Sequence, residues 1–297
     1  MSSARTVLVT GGTGFLGSHL ARALNRAGQR VVVLKRAGSD LARLRGLLPE
    51  ITLHDADGAP LRTIFEAHRV DSIIHTATSY GRRGERPSEI LRTNLLLPME
   101  LLELAAEFQV GAFFNADTVL PGGLSYYATT KKQFLEYGRR MTADSVTRLV
   151  NVKLEHLYGP GDDGTRFIPW LIGAFLGGAA SLDLTEGRQR RDFVYVEDVV
   201  DAFLLLGERF AEGQMAEEEF EVGTGEAPAL AEVVKLVHRL CQARTELRFG
   251  TVPYRGDELM CSESNTAALR QLGWRPRVRL EDGLTQTIQA AVCAAAQ

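Results

Sequence analysis

Residues Thr6 to Gly17 read TVLVTGGTGFLG, a run of small and β-branched residues that gives way to Gly11, Gly14 and Gly17 at intervals of three. The first five residues have the composition of a buried strand. Beyond the glycines, Leu16, Leu20, Ala23, Leu24 and Ala27 recur at i, i+4, i+7, i+8 and i+11, which places one apolar stripe along a helix. Glycines there let the chain turn tightly after the strand, let backbone N–H groups approach a diphosphate, and let helix pack on strand. The helix N-terminus adds partial positive charge. A glycine triplet alone is weak evidence, and its weight here comes from the strand before it and the helix after it.

Outward from this stretch the alternation continues. Arg30 to Leu34 (RVVVL), Ile51 to His54 (ITLH), Ser72 to His75 (SIIH) and Ala112 to Asn115 (AFFN) read as further strands, with amphipathic segments between them. Strand, helix, strand repeated several times implies right-handed crossovers and a parallel sheet covered on both faces, a doubly wound α/β fold. After about Gly164 the pattern loosens. Residues 1–164 are expected to form the first domain, with 188–228 returning to it, and residues 165–187 and 229–297 a smaller C-terminal part without regular βα alternation.

The chain has 297 residues, 45% hydrophobic and 24% charged, enough to bury a sizeable core. A formal net charge of −3 gives no global basic field for nucleic acid or an anionic membrane, so any anion site is local. Cys241, Cys261 and Cys293 are odd in number and lack CxxC spacing or a His-rich neighbourhood, so neither a disulfide framework nor a metal site is suggested. A reducing cytoplasm is the expected compartment. No apolar run approaches the about 20 residues of a membrane span.

The second strand ends in VVLKRAG, Val32 to Gly38. In dinucleotide folds this point meets the adenine-side ribose, where an acid binds the 2′-hydroxyl of NAD and a cation accommodates the 2′-phosphate of NADP. Lys35 stands where the acid would be, and Arg36 can add a bidentate contact. NADP(H) is therefore the expected coenzyme, against the alternative of two solvated cations at a strand end. Asp55, after the third strand, is either an acceptor for the adenine amino group or an ordinary turn aspartate.

In SYYATTKKQFLEY, Ser125 to Tyr137, Tyr127 and Lys131 are four apart and share a helix face. A phenol titrating near ~10 is a poor proton relay at neutral pH; bringing it to about neutrality requires roughly 4 kcal/mol of differential stabilisation. One close ammonium plus a coenzyme's own charge can provide that in a dry site.

With these residues in hand, the chain resembles the extended short-chain dehydrogenase/reductase family, particularly its nucleotide-sugar-modifying members. The resemblance runs nearly the full length, through TGGTGFLG, Asn94 in RTNLL, YATTK, YGPGDD (Tyr158 to Asp163), RDFVYVEDV (Arg191 to Val199), FEVGTGE, and RGDE followed by LGWRP. It implies a Rossmann domain for the nicotinamide coenzyme and a smaller C-terminal domain for a nucleoside-diphosphate sugar. Tyr127 is then the general acid/base, and Lys131 orients the nicotinamide ribose. The expected coenzyme contacts are Gly11, Thr13, Gly14, Phe15, Leu16, Gly17, Lys35, Arg36, Asp55, Ala56, Thr76, Ala77, Thr78 and Asn94, with Tyr127 and Lys131. For the substrate, Arg255 matches the family's diphosphate clamp, Arg191 lies near the nucleotide side, and His156 falls where many relatives have an Asn. Structural alternatives stand beside two of these: an ion pair of Arg191 with Asp192, and a satisfied wall residue at His156.

One departure matters. Relatives usually place a Ser or Thr just after the fifth strand to hydrogen-bond the substrate oxygen, whereas this chain has NADTVL, with Ala116 at one plausible register. Asp117 and Thr118 are the nearest polar substitutes, and Thr118 is the expected one. The stretch resembles the NTDT of CDP-3,6-dideoxyhexose synthases with its first threonine lost. Epimerases and dehydratases of the family retain NAD and usually keep the acid that Lys35 replaces. Dehydratases also use an Asp-Glu pair, and Thr118 cannot supply a carboxylic proton. Epimerising reductases add a Cys and His pair that is missing here.

The remaining expectation is NADPH-dependent reduction of a CDP- or dTDP-linked 4-keto-6-deoxyhexose, with Tyr127 as proton donor. The alternatives are an NDP-sugar 4-epimerase holding NAD and a non-catalytic NADP-sensing protein. Helices over Ser88 to Phe108 and Ser125 to Met141 resemble those through which relatives form homodimers.

Overall fold

The computed structural model describes residues 4–295. Each short apolar run read from the sequence falls in a strand: β1 (Thr6–Thr10), β2 (Arg30–Lys35), β3 (Thr52–Asp55), β4 (Ser72–His75) and β5 (Ala112–Thr118); a sixth, β6 (Arg148–Leu154), lies outside those runs. With Glu219–Val222 they form a seven-stranded sheet in the order Glu219–Val222, β6, β5, β4, β1, β2, β3. The pairs β1/β2, β1/β4, β2/β3 and β4/β5 are parallel, with Val9 opposite both Val33 and Ile74. All five residues of β1 are buried, as a parallel strand covered on both faces requires. From β1 the chain lays β2 and β3 on one side, then crosses over to β4 and β5 on the other. This puts a topological switch point at the carboxyl ends of β1 and β4.

Helix α1 (Phe15–Arg26) packs against the sheet through Gly17, Leu20, Ala21 and Leu24. The stripe differs from the expected one, since Ala21 is inside while Ala23 is half-buried and Ala27, just past the helix end, is exposed. Its closeness to the strand depends on glycine. A Cβ on Gly17 would lie 2.2 Å from the Gly11 carbonyl oxygen, and Gly11 itself has φ of +66° with Ala77 N 2.6 Å from where its Cβ would be.

The continuous helix expected over Ser88 to Phe108 is two helices, Pro87–Leu91 and Leu97–Glu107, joined by a π turn at Arg92–Leu96. Pro98 explains the interruption: it has no N–H to give, and its ring crowds the carbonyl four residues earlier, that of Asn94. The helix read over Ser125 to Met141 is present as Tyr126–Thr142, with Ser125 as its cap: the Ser125 Oγ accepts from Ala128 N–H at 3.1 Å.

The chain divides into two compact units, Met1–Lys153 with Phe203–Phe220, and Leu154–Ala202 with Glu221–Gln297. The expectation had put the first break near residue 164 and the returning segment at 188–228. The second unit has three short parallel pairs: His156–Tyr158 with Phe193–Tyr195, Ser181–Leu184 with Glu246–Phe249, and Arg190–Arg191 with Cys261–Ser262. Its core joins Ile168, Leu171, Phe175, Val233, Val237, Leu284 and Ile288 from three helices. Asp192, fully buried, ties its loops together by accepting from Thr224 N–H, Thr224 Oγ1, Gly225 N–H and Ser264 Oγ at 2.7–3.0 Å. No helix among the described residues is long and apolar enough to cross a membrane.

Gly17→Ala forces α1 off β1, because the clash is with backbone and no side chain can yield. We expect a loss of about 1–3 kcal/mol in chemical denaturation. An unchanged midpoint would show that the glycine loop is not the fixed point described here.

Candidate active site

The glycine loop occupies the switch point. Gly14 N–H donates to the Gly11 carbonyl at 2.8 Å, closing the turn, and Gly14 caps α1 without any side-chain hydrogen bond. The first N–H groups of α1, including Phe15, Leu16 and Gly17, have no intrahelical partner by the geometry of any helix. Thr13 is half-buried in the same loop. A cradle that a Cβ would fill, lined by uncapped N–H groups at the positive end of a 12-residue helix, fits the diphosphate of a dinucleotide. Across the switch point, Thr76 Oγ1 donates to the Thr10 carbonyl and Ala77 N–H donates to Thr10 Oγ1, so β4's end is latched to β1. Thr78 follows, half-buried. His75 shares Thr10 Oγ1 through its Nδ1 at 2.8 Å, and burial, with the nearby Lys131 charge, holds it well below the ordinary imidazole range.

Asn94, expected among the coenzyme contacts, is fully buried and its amide is committed to protein. Its Oδ1 accepts from Ser79 N–H at 2.8 Å, and its Nδ2 donates to the Ser79 carbonyl and to Thr130 Oγ1 at 2.9 and 3.1 Å. Through these bonds it ties the loop after β4 to the Tyr127 helix.

Tyr127 lies in the first turn of that helix, half-buried, and Lys131 one turn on is almost completely enclosed. The Lys131 ammonium donates to the Ala116 carbonyl at 2.8 Å. Burial pushes its pKa down to about 8, with Asp117 opposing the fall and Lys132 adding to it. Asp117 is saturated: one oxygen accepts from Thr118 N–H at 2.7 Å, the other from Lys132 Nζ and Asn151 Nδ2, both at 3.0 Å. Thr118, also buried, uses its hydroxyl as acceptor for Leu120 N–H at 3.2 Å, which leaves its proton to donate. Lys132 and Asn151 were not singled out from sequence. The KK pair was visible, but nothing local says that the second lysine reaches back to β5.

At the carboxyl end of β2, Lys35 forms an ion pair with Asp55, the residue facing it across the β2/β3 register. Ala56 N–H donates to the Lys35 carbonyl at 2.8 Å, and Asp57 accepts from Ala37 N–H at 2.9 Å. Among the described residues no hydrogen bond or ion pair engages the exposed Arg36 guanidinium.

The expected substrate residues lie in the second unit. Arg191 is not paired with Asp192; its guanidinium donates to Glu258 at 2.7 Å and to its neighbour Arg190's carbonyl at 2.8 Å. His156 Nδ1 lies 3.2 Å from the buried Glu155 carboxylate, which Ser262 Oγ also meets at 2.8 and 3.0 Å. Arg255 is exposed, and its side chain has no hydrogen bond or ion pair among the described residues.

Residues 7–223 match the model of the NAD dependent epimerase/dehydratase family, and the chain belongs to that family. It is thus an oxidoreductase-type enzyme of the extended short-chain dehydrogenase/reductase kind, working with a nicotinamide dinucleotide. More particularly, it is 30% identical over 292 residues to the CDP-abequose synthase of Salmonella muenchen, covering 96% of this chain and 97% of that one. It is 31% identical over 300 residues to the CDP-abequose synthase of Salmonella typhimurium, covering 95% and 97%. Among solved structures, the UDP-glucose 4-epimerase of Thermus thermophilus in complex with NAD is 26% identical, with a TM-score of 0.79 over 96% of this chain and 98% of that one.

The enclosed ammonium yields a stability prediction for the protein free of dinucleotide. Because Lys131 titrates near 8 when folded and at its ordinary 10.5 when unfolded, the unfolded chain binds the extra proton between those values, and stability rises with pH there. Lys131→Met is expected to be more stable than wild type at pH 7 by roughly 1–3 kcal/mol, after allowing for the hydrogen bond lost at Ala116. The gap should close as pH is raised from 8 toward 10.5 in parallel urea titrations. A variant less stable than wild type at pH 7 would mean that the ammonium is better solvated than its surroundings imply.

Proposed function

We propose that the protein reduces a nucleoside-diphosphate-linked 4-keto-6-deoxyhexose with NADPH, with CDP as the first nucleotide to try. The observation that carries this reading is the pair of basic residues at the end of β2, Lys35 and Arg36, where an NAD-retaining enzyme would carry a carboxylate. The full-length likeness to two CDP-abequose synthases supports the substrate class. The saturated Asp117 supports reduction over dehydration, since a carboxylate spent on three donors is no proton source for elimination.

In this mechanism NADPH, when bound, supplies the hydride that reaches the ketone carbon. Tyr127 gives its phenolic proton to the ketone oxygen, so that C=O becomes CH–OH with one hydride and one proton consumed. Lys131 orients the nicotinamide ribose, and its charge favours the phenolate that remains. Thr118 takes the place of the hydroxyl missing at Ala116 and steadies the ketone oxygen. Arg255 and Arg191 hold the sugar's diphosphate side, with His156 beside it. Activity is expected in a cytoplasmic homodimer.

The Lys35–Asp55 ion pair favours a second reading, because a paired lysine offers less to a 2′-phosphate: an NDP-sugar 4-epimerase keeping NAD through its cycle. The two part cleanly in one preparation. A reductase consumes NADPH in proportion to CDP- or dTDP-4-keto-6-deoxyhexose added, whereas an epimerase copurifies with NAD and consumes none. No NADPH oxidation with any of these sugars would remove the reductase reading.

Within the reductase reading, Arg36→Ala removes a charge-assisted contact of about 1.5 kcal/mol. The KM for NADPH should then rise roughly tenfold while that for NADH barely changes. Asp55→Asn, which frees Lys35, should act in the opposite direction. Equal effects on both coenzymes would place the 2′-phosphate elsewhere.

A further inference from the structure

The loop after β4 brings a second aromatic ring to the proton donor. The Tyr80 ring centroid lies 4.8 Å from that of Tyr127, with the planes inclined at 45°. The Arg82 guanidinium carbon stands 5.3 Å from the Tyr80 centroid. Both separations fall within the range of favourable aromatic-pair and cation–π contact.

This placement is built into the loop. Ser79, the residue before Tyr80, is clasped at both its N–H and its carbonyl by the buried Asn94 amide, which also donates to Thr130 on the Tyr127 helix. Thr130 Oγ1 in turn donates to the Tyr126 and Tyr127 carbonyls at 2.8 and 3.0 Å. Gly81 turns the chain at φ of +69°, where a Cβ would come within 2.8 Å of Ile90. Glu85 closes the loop by accepting from Ser79 Oγ and Arg83 N–H at 3.1 and 2.7 Å. The π turn exists where Asn94 must point inward, in keeping with the tendency of such turns to occur at functional sites.

Tyr127 needs outside support for a simple reason. Helical side chains lean toward the N-terminus and pack on the preceding turn, and a residue in the first turn has none to pack on. The usual hydroxyl that fixes the ketone oxygen is also missing at Ala116, so more of the alignment rests on where the phenol points. We infer that Tyr80 is a positioning residue, whose ring, steadied by Arg82, holds the Tyr127 ring so that its phenol oxygen stays aimed at the reacting carbonyl. The identity of that carbonyl rests on the reductase reading; the ordering of Tyr127 does not.

A misaligned proton donor loses rate steeply, so Tyr80→Ala is expected to lower kcat by roughly tenfold or more with the KM for NADPH within about twofold of wild type. Tyr80→Phe, which keeps the ring, should restore kcat. In a Tyr127→Phe background, adding Tyr80→Ala should change the residual rate by less than about twofold, since the effect runs through the phenol. With a fluorinated tyrosine at position 127 of the holoenzyme, its fluorine resonance should move far more on Tyr80→Ala than on Tyr80→Phe, with no sugar nucleotide present. Equal losses in the two Tyr80 variants, an undiminished effect without the phenol, or an unmoved fluorine resonance would each overturn the inference. Failure of the wild-type enzyme to turn over any keto sugar would overturn the reductase reading alone, and the fluorine signal would still decide whether Tyr80 orders Tyr127.

Discussion

An ammonium enclosed by protein, with its contact to the Ala116 carbonyl at 2.8 Å, sets the terms for the rest of the site. Taking that charge out of water is expensive, and the cost appears as a pKa lowered to about 8. Nothing in the packing of the fold requires a lysine there, and an apolar side chain of similar length would fill the space. Such a group is retained where its charge is used on something else. The distance also fixes geometry: Lys131 can reach the Ala116 carbonyl only if its helix lies close over the end of β5. Tyr127, one turn back, is thereby set at the carboxyl edge of the sheet, where doubly wound folds bind their ligands.

Around that constraint the polar groups at the end of β5 form a network in which the buried Asn115 Oδ1 is left without a hydrogen-bond partner. Asp117 is held by Lys132 and Asn151, Asn115 Nδ2 donates to Asn151, and Lys132 also donates to the Thr118 carbonyl. Hydrogen bonds linked in this way inside a protein strengthen one another and favour a single arrangement. Here the arrangement fixes the backbone of Ala116 to Thr118 without a hydroxyl at Ala116. In the proposed mechanism the Asp117 carboxylate is therefore scaffolding, and proton transfer is left to the Tyr127 phenol.

The parts of this site that were legible in the sequence are those whose determinants are local. β1, the glycine loop and α1 follow one another without a gap, and Tyr127 and Lys131 are separated by one turn of one helix, so spacing alone brings them together. β3 is displaced by one residue and β5 runs three residues beyond its expected end, because strand ends are set by neighbouring strands more than by composition. What escaped was non-local or hidden in an apparently regular pattern. The apolar periodicity of Ser88 to Phe108 hid a π turn whose cause, Pro98, was in plain view. Arg191 pairs with Glu258, 67 positions on, instead of with its neighbour Asp192, which is committed to N–H and hydroxyl donors from Thr224, Gly225 and Ser264. Tyr80 carried no signal, since a lone tyrosine in a polar loop is ordinary until the loop is folded back on the Tyr127 helix.

The end of β2 shows how a local reading acquires a different meaning in three dimensions. Lys35 and Arg36 look like two cations offered to one phosphate, yet the parallel register of β2 and β3 sets Asp55 directly opposite Lys35. Asp57 takes the Ala37 N–H as well. Two cations and two carboxylates then share the turn, and its local charge is close to balanced. The Asp55 side of this pair is exposed and the Lys35 side largely covered, so a dianionic phosphate would compete with Asp55 for Lys35 from the solvent side. A ribose hydroxyl can instead accept the pair as it stands. Under the proposed NADPH-dependent reading, discrimination between the two coenzymes falls to Arg36, whose fork can meet a phosphate in two parallel hydrogen bonds and finds no such partner in a hydroxyl.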